Sequence, residues 1–438
     1  MKRTLSSFLV SILVSTGLIS CGGYSSPRNA SRSGLTFRAF VSNPVSPGPS
    51  GGGFPALNII DATKDVLSPF VVSLSGTVGS AGMMVESPKR DRTVVLSPAG
   101  NSGNSVLAIV NNADERASSI VTLPGPTESM FVASDSTTVY AAMPSAPVIG
   151  LPAGAVVQVD LANAAISATI PVAGARFLVP SPSGNQILVI SDTADTVTAL
   201  APALISSGNA LTTVSAPPGT FDKPVWAVFS SDGSTAYVMN CGPECGGTAA
   251  EAGIVTVDMT QNPPQASPPV PVLGGATTGL LSGGNLYVAG TPFPTPAGVD
   301  CHTSLCGKLT VFPAANLSTP SEFAITDGYH DRLVMAPNNQ LFIGSHTCTN
   351  VIATSTTPGR GCLSVFNSGG NTVYTAAQNG DVTGIQPITN RSVVYVCEGG
   401  VLIIYDTALD LGNQRQLEPQ KTQVTISGQV VDVKLVDF

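Results

Sequence analysis

The sequence predicts an all-β fold, closed into a ring of repeated four-stranded antiparallel units. Three observations predict it. Short apolar runs rich in Val, Ile and Thr recur from residue 38 to the end, and these residue types suit a half-buried pleated strand. The chain carries 45 Gly and 35 Pro, which punctuate those runs with turns. The first and last runs each lack a partner that the other supplies. Charged residues make up only 11% of the chain, yet after residue 20 no apolar run reaches the ~20 residues needed to span a bilayer.

The units can be read in order from their third strands. Asn58-Ile59-Ile60-Asp61, Val157-Gln158-Val159-Asp160, Val255-Thr256-Val257-Asp258 and Ile403-Ile404-Tyr405-Asp406 are the clearest, with Ala108-Ile109-Val110-Asn111 and Ser364-Val365-Phe366-Asn367 as variants. A terminal Asp or Asn accepts the backbone N–H two residues on and so starts a turn. Ser181-Pro182-Ser183-Gly184-Asn185, Ser230-Ser231-Asp232-Gly233-Ser234 and Ala336-Pro337-Asn338-Asn339 mark the turns between first and second strands. Third strands fall near residues 59, 108, 157, 198, 256, 310, 365 and 403, which gives eight units. Residue 198 has a weak signal, so seven is the alternative. Over residues 38–438 the spacing is about 50 per unit, the upper end for a β-propeller. The first unit starts with a second-type strand, Arg38-Ala39-Phe40-Val41-Ser42. The last residues, Val430 to Val436, form a strand with no unit of its own. Together they complete one blade and close the ring.

Tyr237-Val238-Met239-Asn240, Leu286-Tyr287-Val288-Ala289 and Leu341-Phe342-Ile343-Gly344, each followed by a Val-Asp-like third strand, resemble the YVTN-type propeller repeats of bacterial surface and periplasmic proteins. The resemblance covers nearly all of residues 38–438 and implies the fold. That superfamily holds lactonases, quinoprotein dehydrogenase subunits and many proteins of unknown role. It further implies one face, here the top, that carries the second-to-third loops and the blade-to-blade connections. Loops 44–55, 144–153, 241–252, 290–306 and 345–361 then all lie on top.

The amino-terminal segment resembles a bacterial lipoprotein signal. Lys2 and Arg3 precede an apolar run from Phe8 to Ile19, and Leu18-Ile19-Ser20-Cys21 matches a lipobox. The resemblance implies a signal peptide over residues 1–20, cleavage before Cys21, and a thioether-linked diacylglycerol and palmitate-type acylation on that residue. Several acyl chains on one residue anchor a protein stably. Gly22 stands where inner-membrane retention commonly uses Asp, which points to the outer membrane. Residues 21–37, rich in Ser, Gly and Arg, read as a flexible tether.

Seven cysteines follow Cys21. Six lie in close pairs within turn-rich loops, and in an oxidising envelope they read as local disulfides Cys241–Cys245, Cys301–Cys306 and Cys348–Cys362. Exchange between loops on one face is the alternative. Cys397, in the apolar run Val393-Val394-Tyr395-Val396-Cys397, reads as a buried core thiol.

Signals for chemistry are sparse. The net charge is −8 and no Lys/Arg cluster exists beyond the leader, which argues against nucleic acid as a partner. No haem-attachment, His-Glu-x-x-His or Walker-type motif is present, and no catalytic residue is assigned. His302, His330 and His346 are the only histidines. All fall near top loops of neighbouring blades, where with Asp300, Asp327 or Asp331 they form a candidate site for a divalent metal. His330 and His346 are expected to approach each other. Glu128, Arg176, Asp222, Lys223, Arg332 and Asp381 enter at or before inner strands and are candidates for a ligand site at the channel mouth. The expected function is a lipid-anchored, non-catalytic binding scaffold that takes protein, peptide or glycan at the cell envelope. A lactonase-like or other hydrolase with a channel-mouth metal is the alternative. Mass spectrometry of the processed amino terminus is expected to show acylated Cys21, and an unmodified terminus elsewhere would remove the anchor.

Overall fold

The computed structural model describes residues 31–48, 52–98, 103–191, 193–295, 298–408 and 420–438. The expected signal peptide, Cys21 and the first part of the tether lie outside them. The rest is an eight-bladed β-propeller of antiparallel four-stranded sheets. The inner strands of blades 2 to 8 are Met84–Glu86, Ser129–Val132, Ala175–Pro180, Pro224–Phe229, Thr278–Ser282, Tyr329–Ala336 and Val382–Pro387. All eight expected centres fall in third strands, including the weak one, where Thr196–Leu200 is the third strand of blade 4. Eight units are therefore present and the seven-bladed alternative falls away. In blade 5 the outer strand is split into Gln265–Ala266 and Val270–Val272. Pro268 and Pro269 stand at the break, where a missing N–H interrupts the ladder.

The strand-end residues act as the sequence implied. Asp61 accepts the N–H of Thr63 at 3.0 Å, Asp160 that of Ala162 at 2.8 Å, Asp258 that of Thr260 at 2.9 Å and Asp406 that of Ala408 at 2.9 Å. Each starts the turn into the outer strand on the bottom face. Period-two alternation gives every blade two apolar faces, one for each neighbour. The core is thus a ring of inter-blade layers. Leu107 and Ile109 of blade 2 pack with Val139 and Val157 of blade 3, and Tyr287 and Leu309 of blade 6 pack with Leu341 and Phe366 of blade 7. Cys397 is buried in the layer between blades 8 and 1.

Blade 1 is built from both ends of the chain. Its inner strand, Asp432–Leu435, pairs with Arg38–Pro47 in the register Ala39 to Leu435 through Ser42 to Asp432. A buried ion cluster locks this seam from below. Arg38 meets Asp437 through Nε and Nη2 at 2.8 Å each, and Glu115 of blade 2 through Nη1 at 2.8 Å. Glu115 also accepts the Ser33 N–H and hydroxyl at 2.6 and 2.5 Å. Residues 31–37, expected as the end of the flexible tether, therefore rest on the bottom of blades 1 and 2. On the inner side, Asp432 accepts the Met84 N–H at 2.8 Å and ties blade 1 to blade 2.

Deleting residues 430–438 removes an inner strand and leaves Arg38 a buried, half-paired cation. Loss of soluble folded protein is expected. The milder Glu115→Leu change is expected to destabilise by about 3 kcal/mol, because one partner of a buried pair is lost. Thermal melts of both variants check this.

Candidate functional site

The top face is built by long second-to-third loops, and three consecutive blades carry the disulfides. Cys241–Cys245 staples the loop of blade 5, Cys301–Cys306 that of blade 6 and Cys348–Cys362 that of blade 7, with Cα separations of 5.6, 5.5 and 5.4 Å. All three pairings are local, as expected.

Polar contacts join these loops to one another. The Thr291 N–H of blade 6 donates to Glu244 of blade 5 at 3.1 Å, and its hydroxyl donates to the Gly328 carbonyl at 2.9 Å. Arg360, from the blade 7 loop, donates to the carbonyls of Cys301 and Ser304 in blade 6. Carboxylates in the blade-to-blade connections hold the loops from below. Asp222 accepts the N–H groups of Thr248 and Ala249 at 2.9 and 3.0 Å, Asp327 accepts from Thr349 at 2.8 and 2.6 Å, and Asp381 accepts the Thr347 N–H at 2.7 Å. Asp222, read from sequence as a channel-mouth ligand group, is thus buried and occupied by loop backbone. Neighbouring Lys223 instead donates its N–H to Asp195 at 3.0 Å.

The three histidines do not converge. His330 lies inside the inner strand of blade 7, opposite Ser345, while His346 lies opposite Tyr329. Adjacent register positions send side chains to opposite faces of a sheet. His330 is fully buried, with Nε2 2.9 Å from the Thr326 carbonyl. His346 faces the channel mouth, with Nε2 3.0 Å from Asp331 and Nδ1 3.6 Å from Asp381. His302 is exposed, its backbone N–H donating to Asp300 at 2.9 Å. The expected approach of His330 to His346 fails because the strand register separates their rings. Among the described residues no group of three or more His, Cys, Asp or Glu is placed to hold a metal ion.

At the mouth itself, Arg332 pairs with Asp331 at 2.9 Å, and Arg176 pairs with Glu128 at 3.0 Å. Asp331 and Arg332 line a space of ≈480 Å³ whose other walls are mostly apolar, with Val179 of blade 4, Trp226 of blade 5, Leu280 of blade 6 and Leu333 of blade 7. Burial perturbs several titratable groups nearby. It pushes the Glu244 carboxyl up to about 8 and the Tyr329 phenol up to about 12. It also pushes Glu398 up to about 8, against the hydrogen bond from Tyr405. Glu244 and Arg360 carry no sequence motif. Only the position of Glu244, inside the short Cys241–Cys245 loop, sets it apart.

Large apolar side chains are exposed on this face. Ile149, Leu151, Leu273, Phe293, Val299 and Ile352 are each at least 40% exposed, and all lie in top loops or connections.

No family model and no curated protein matches this chain. Solved structures match in fold. A dihydro-heme d1 dehydrogenase, NirN, in complex with DHE, aligns over 92% of this chain and 75% of its own, at 13% identity and a TM-score of 0.60. A functionally unknown protein from Desulfotomaculum acetoxidans aligns over 92% and 99%, at 12% identity and a TM-score of 0.51. A periplasmic gluconolactonase from Pseudomonas aeruginosa aligns over 91% and 98%, at 14% identity and a TM-score of 0.49. At these identities the likeness is one of fold.

The two blade 7 histidines are expected to titrate apart. His346 gains a proton more readily than a free imidazole because Asp331 accepts its hydrogen bond. Burial holds His330 down at about 4. The stabilisation from His346 is full below pH ~6.5 and is lost as pH rises through its higher folded value. His330 has the opposite sign. The unfolded chain takes its proton near pH ~6.5 and the folded chain refuses it until about 4, so stability falls by about 3 kcal/mol over that window. An NMR titration of the imidazole resonances checks both.

Proposed function

We propose that this chain is a lipid-anchored binding scaffold of the bacterial cell envelope, built on a YVTN-type propeller, and that its stapled top face docks a protein or peptide. One observation carries the reading. The loops of blades 5, 6 and 7 are each closed by a disulfide and joined to one another by Glu244–Thr291 and Arg360–Cys301 contacts, so they form one braced surface. A surface ordered before binding loses less entropy on association. Exposed Ile149, Phe293 and Ile352 on the same face favour a protein partner over a glycan, since apolar anchors dominate protein interfaces.

The geometry of the entry supports the anchor. The chain joins the ring at the bottom, at Ser33 and Arg38, beside the turn that holds Glu115. The ten residues that separate Cys21 from Ser31 reach at most ~36 Å. A lipid on Cys21 would therefore keep the bottom face toward an outer membrane and present the top face away from it.

A second reading is a hydrolase at the channel mouth. It is favoured by His346 between Asp331 and Asp381, a carboxylate–imidazole arrangement suited to proton transfer. Lactone hydrolysis that His346→Gln abolishes would establish it.

Photo-crosslinking side chains placed at Ile149, Phe293 and Ile352 are expected to capture one common partner in intact cells. The same side chain at Leu211, on the outer wall, should capture none of it. Equal capture from both positions would contradict a top-face scaffold.

A further inference from the structure

A cavity of ≈230 Å³ opens on the top face between blades 5 and 6. Its walls are Pro243, Glu244 and Glu251 of the blade 5 loop and Thr291 of the blade 6 loop. Leu273 and Phe293 line its rim, 66% and 60% exposed. The volume is below the ~300–1,000 Å³ of pockets for drug-sized molecules and matches a single side chain.

Glu244 is the unexplained group in this cavity. It accepts one hydrogen bond, from the Thr291 N–H at 3.1 Å, and among the described residues no Lys, Arg or His lies within ion-pair distance of it. A carboxyl largely withdrawn from solvent without a cation is costly to ionise. Thr291 needs only an acceptor, which a neutral Gln would supply. A second acid, Glu251, stands on the same wall. Apolar rim side chains beside a buried acid match a side chain with a methylene stem and a cationic tip.

We propose that this cavity receives the lysine or arginine side chain of a protein or peptide docked on the top face. The inference rests on the scaffold reading and names the chemistry of its partner. The stem lies against Leu273 and Phe293, and the cation meets Glu244. Burial holds Glu244 at about 8, so near neutral pH it is mostly protonated while the cavity is empty. On binding, the proton leaves Glu244 for solvent and the ammonium or guanidinium keeps its own, so the bound pair is an ion pair and one proton is released. Glu251, on the cavity wall, and the Tyr329 phenol, coupled to Glu244 from blade 7, are the other titratable groups that face it.

Calorimetric titration of the whole chain with Nα-acetyl-lysine methylamide and with its norleucine counterpart tests this. The lysine derivative is expected to bind and the norleucine derivative, which lacks the ammonium, to bind at least tenfold more weakly. The lysine affinity should rise close to tenfold per pH unit between about pH 6 and 7 and flatten above about 8, with proton release to the buffer. Glu244→Gln should lose at least tenfold in affinity and flatten the profile. Phe293→Ala, on the rim, should weaken binding without moving the profile, and it decides the matter if the Gln variant does not fold. Equal binding of both derivatives, or parent-like lysine affinity in a folded Glu244→Gln variant, overturns the proposal. A crosslinked top-face partner with an inert lysine derivative overturns the pocket alone. A binding lysine derivative with no crosslinked partner overturns the scaffold alone.

Discussion

The structure depends on the pairing of Asp432–Leu435 with the strand that starts at Arg38. In a propeller each blade buries its two faces against its neighbours, so a missing contact anywhere exposes two of them. Here the most distant parts of the chain make that contact, and Arg38 fastens it with Asp437 and Glu115. Arg38 and Glu115 are nearly solvent-free, at 7% and 1% side-chain exposure, so each of these charges needs the other present. Ser33 bonds the same Glu115, which makes the point where the chain enters the ring part of the seam.

A ring closed by its strands does not depend on any one loop length, so the loops can differ from blade to blade. The top loops exploit this unevenly. Blade 8 connects its second and third strands through Gly399 and Gly400 alone, while blades 5, 6 and 7 carry long, stapled loops tied across blade boundaries. Asp222, Asp327 and Asp381 each accept backbone N–H groups from a top loop, so one device recurs around the ring. A rigid scaffold with its irregular, polar and partly apolar loops on one face is the usual arrangement for binding.

The fold was legible because its signals are local. An Asp or Asn at a strand end makes its own turn, a short loop brings two cysteines together, and unpaired strands at the two termini complete one another. The site was less legible because side-chain direction depends on register. His330 and His346 are neighbours in the sheet, yet the one-residue offset between their register positions sends their rings to opposite faces. Asp222 and Asp381 were found as polar residues at inner-strand entries, but their binding of top-loop backbone needs the three-dimensional loop path. Glu244 was missed because its isolation from cations follows from burial, which no spacing rule encodes.

Native-state hydrogen exchange at the seam tests the dependence on closure most directly. If opening the seam means losing the ring, the amides of Ala39–Ser42 and Asp432–Leu435 exchange only by global unfolding. They should then be as slow as the buried amides of Val139–Met143 in blade 3, and share their denaturant dependence. Faster exchange at the seam, through a separate opening that leaves blade 3 protected, would show that the ring stands without it and would contradict the account.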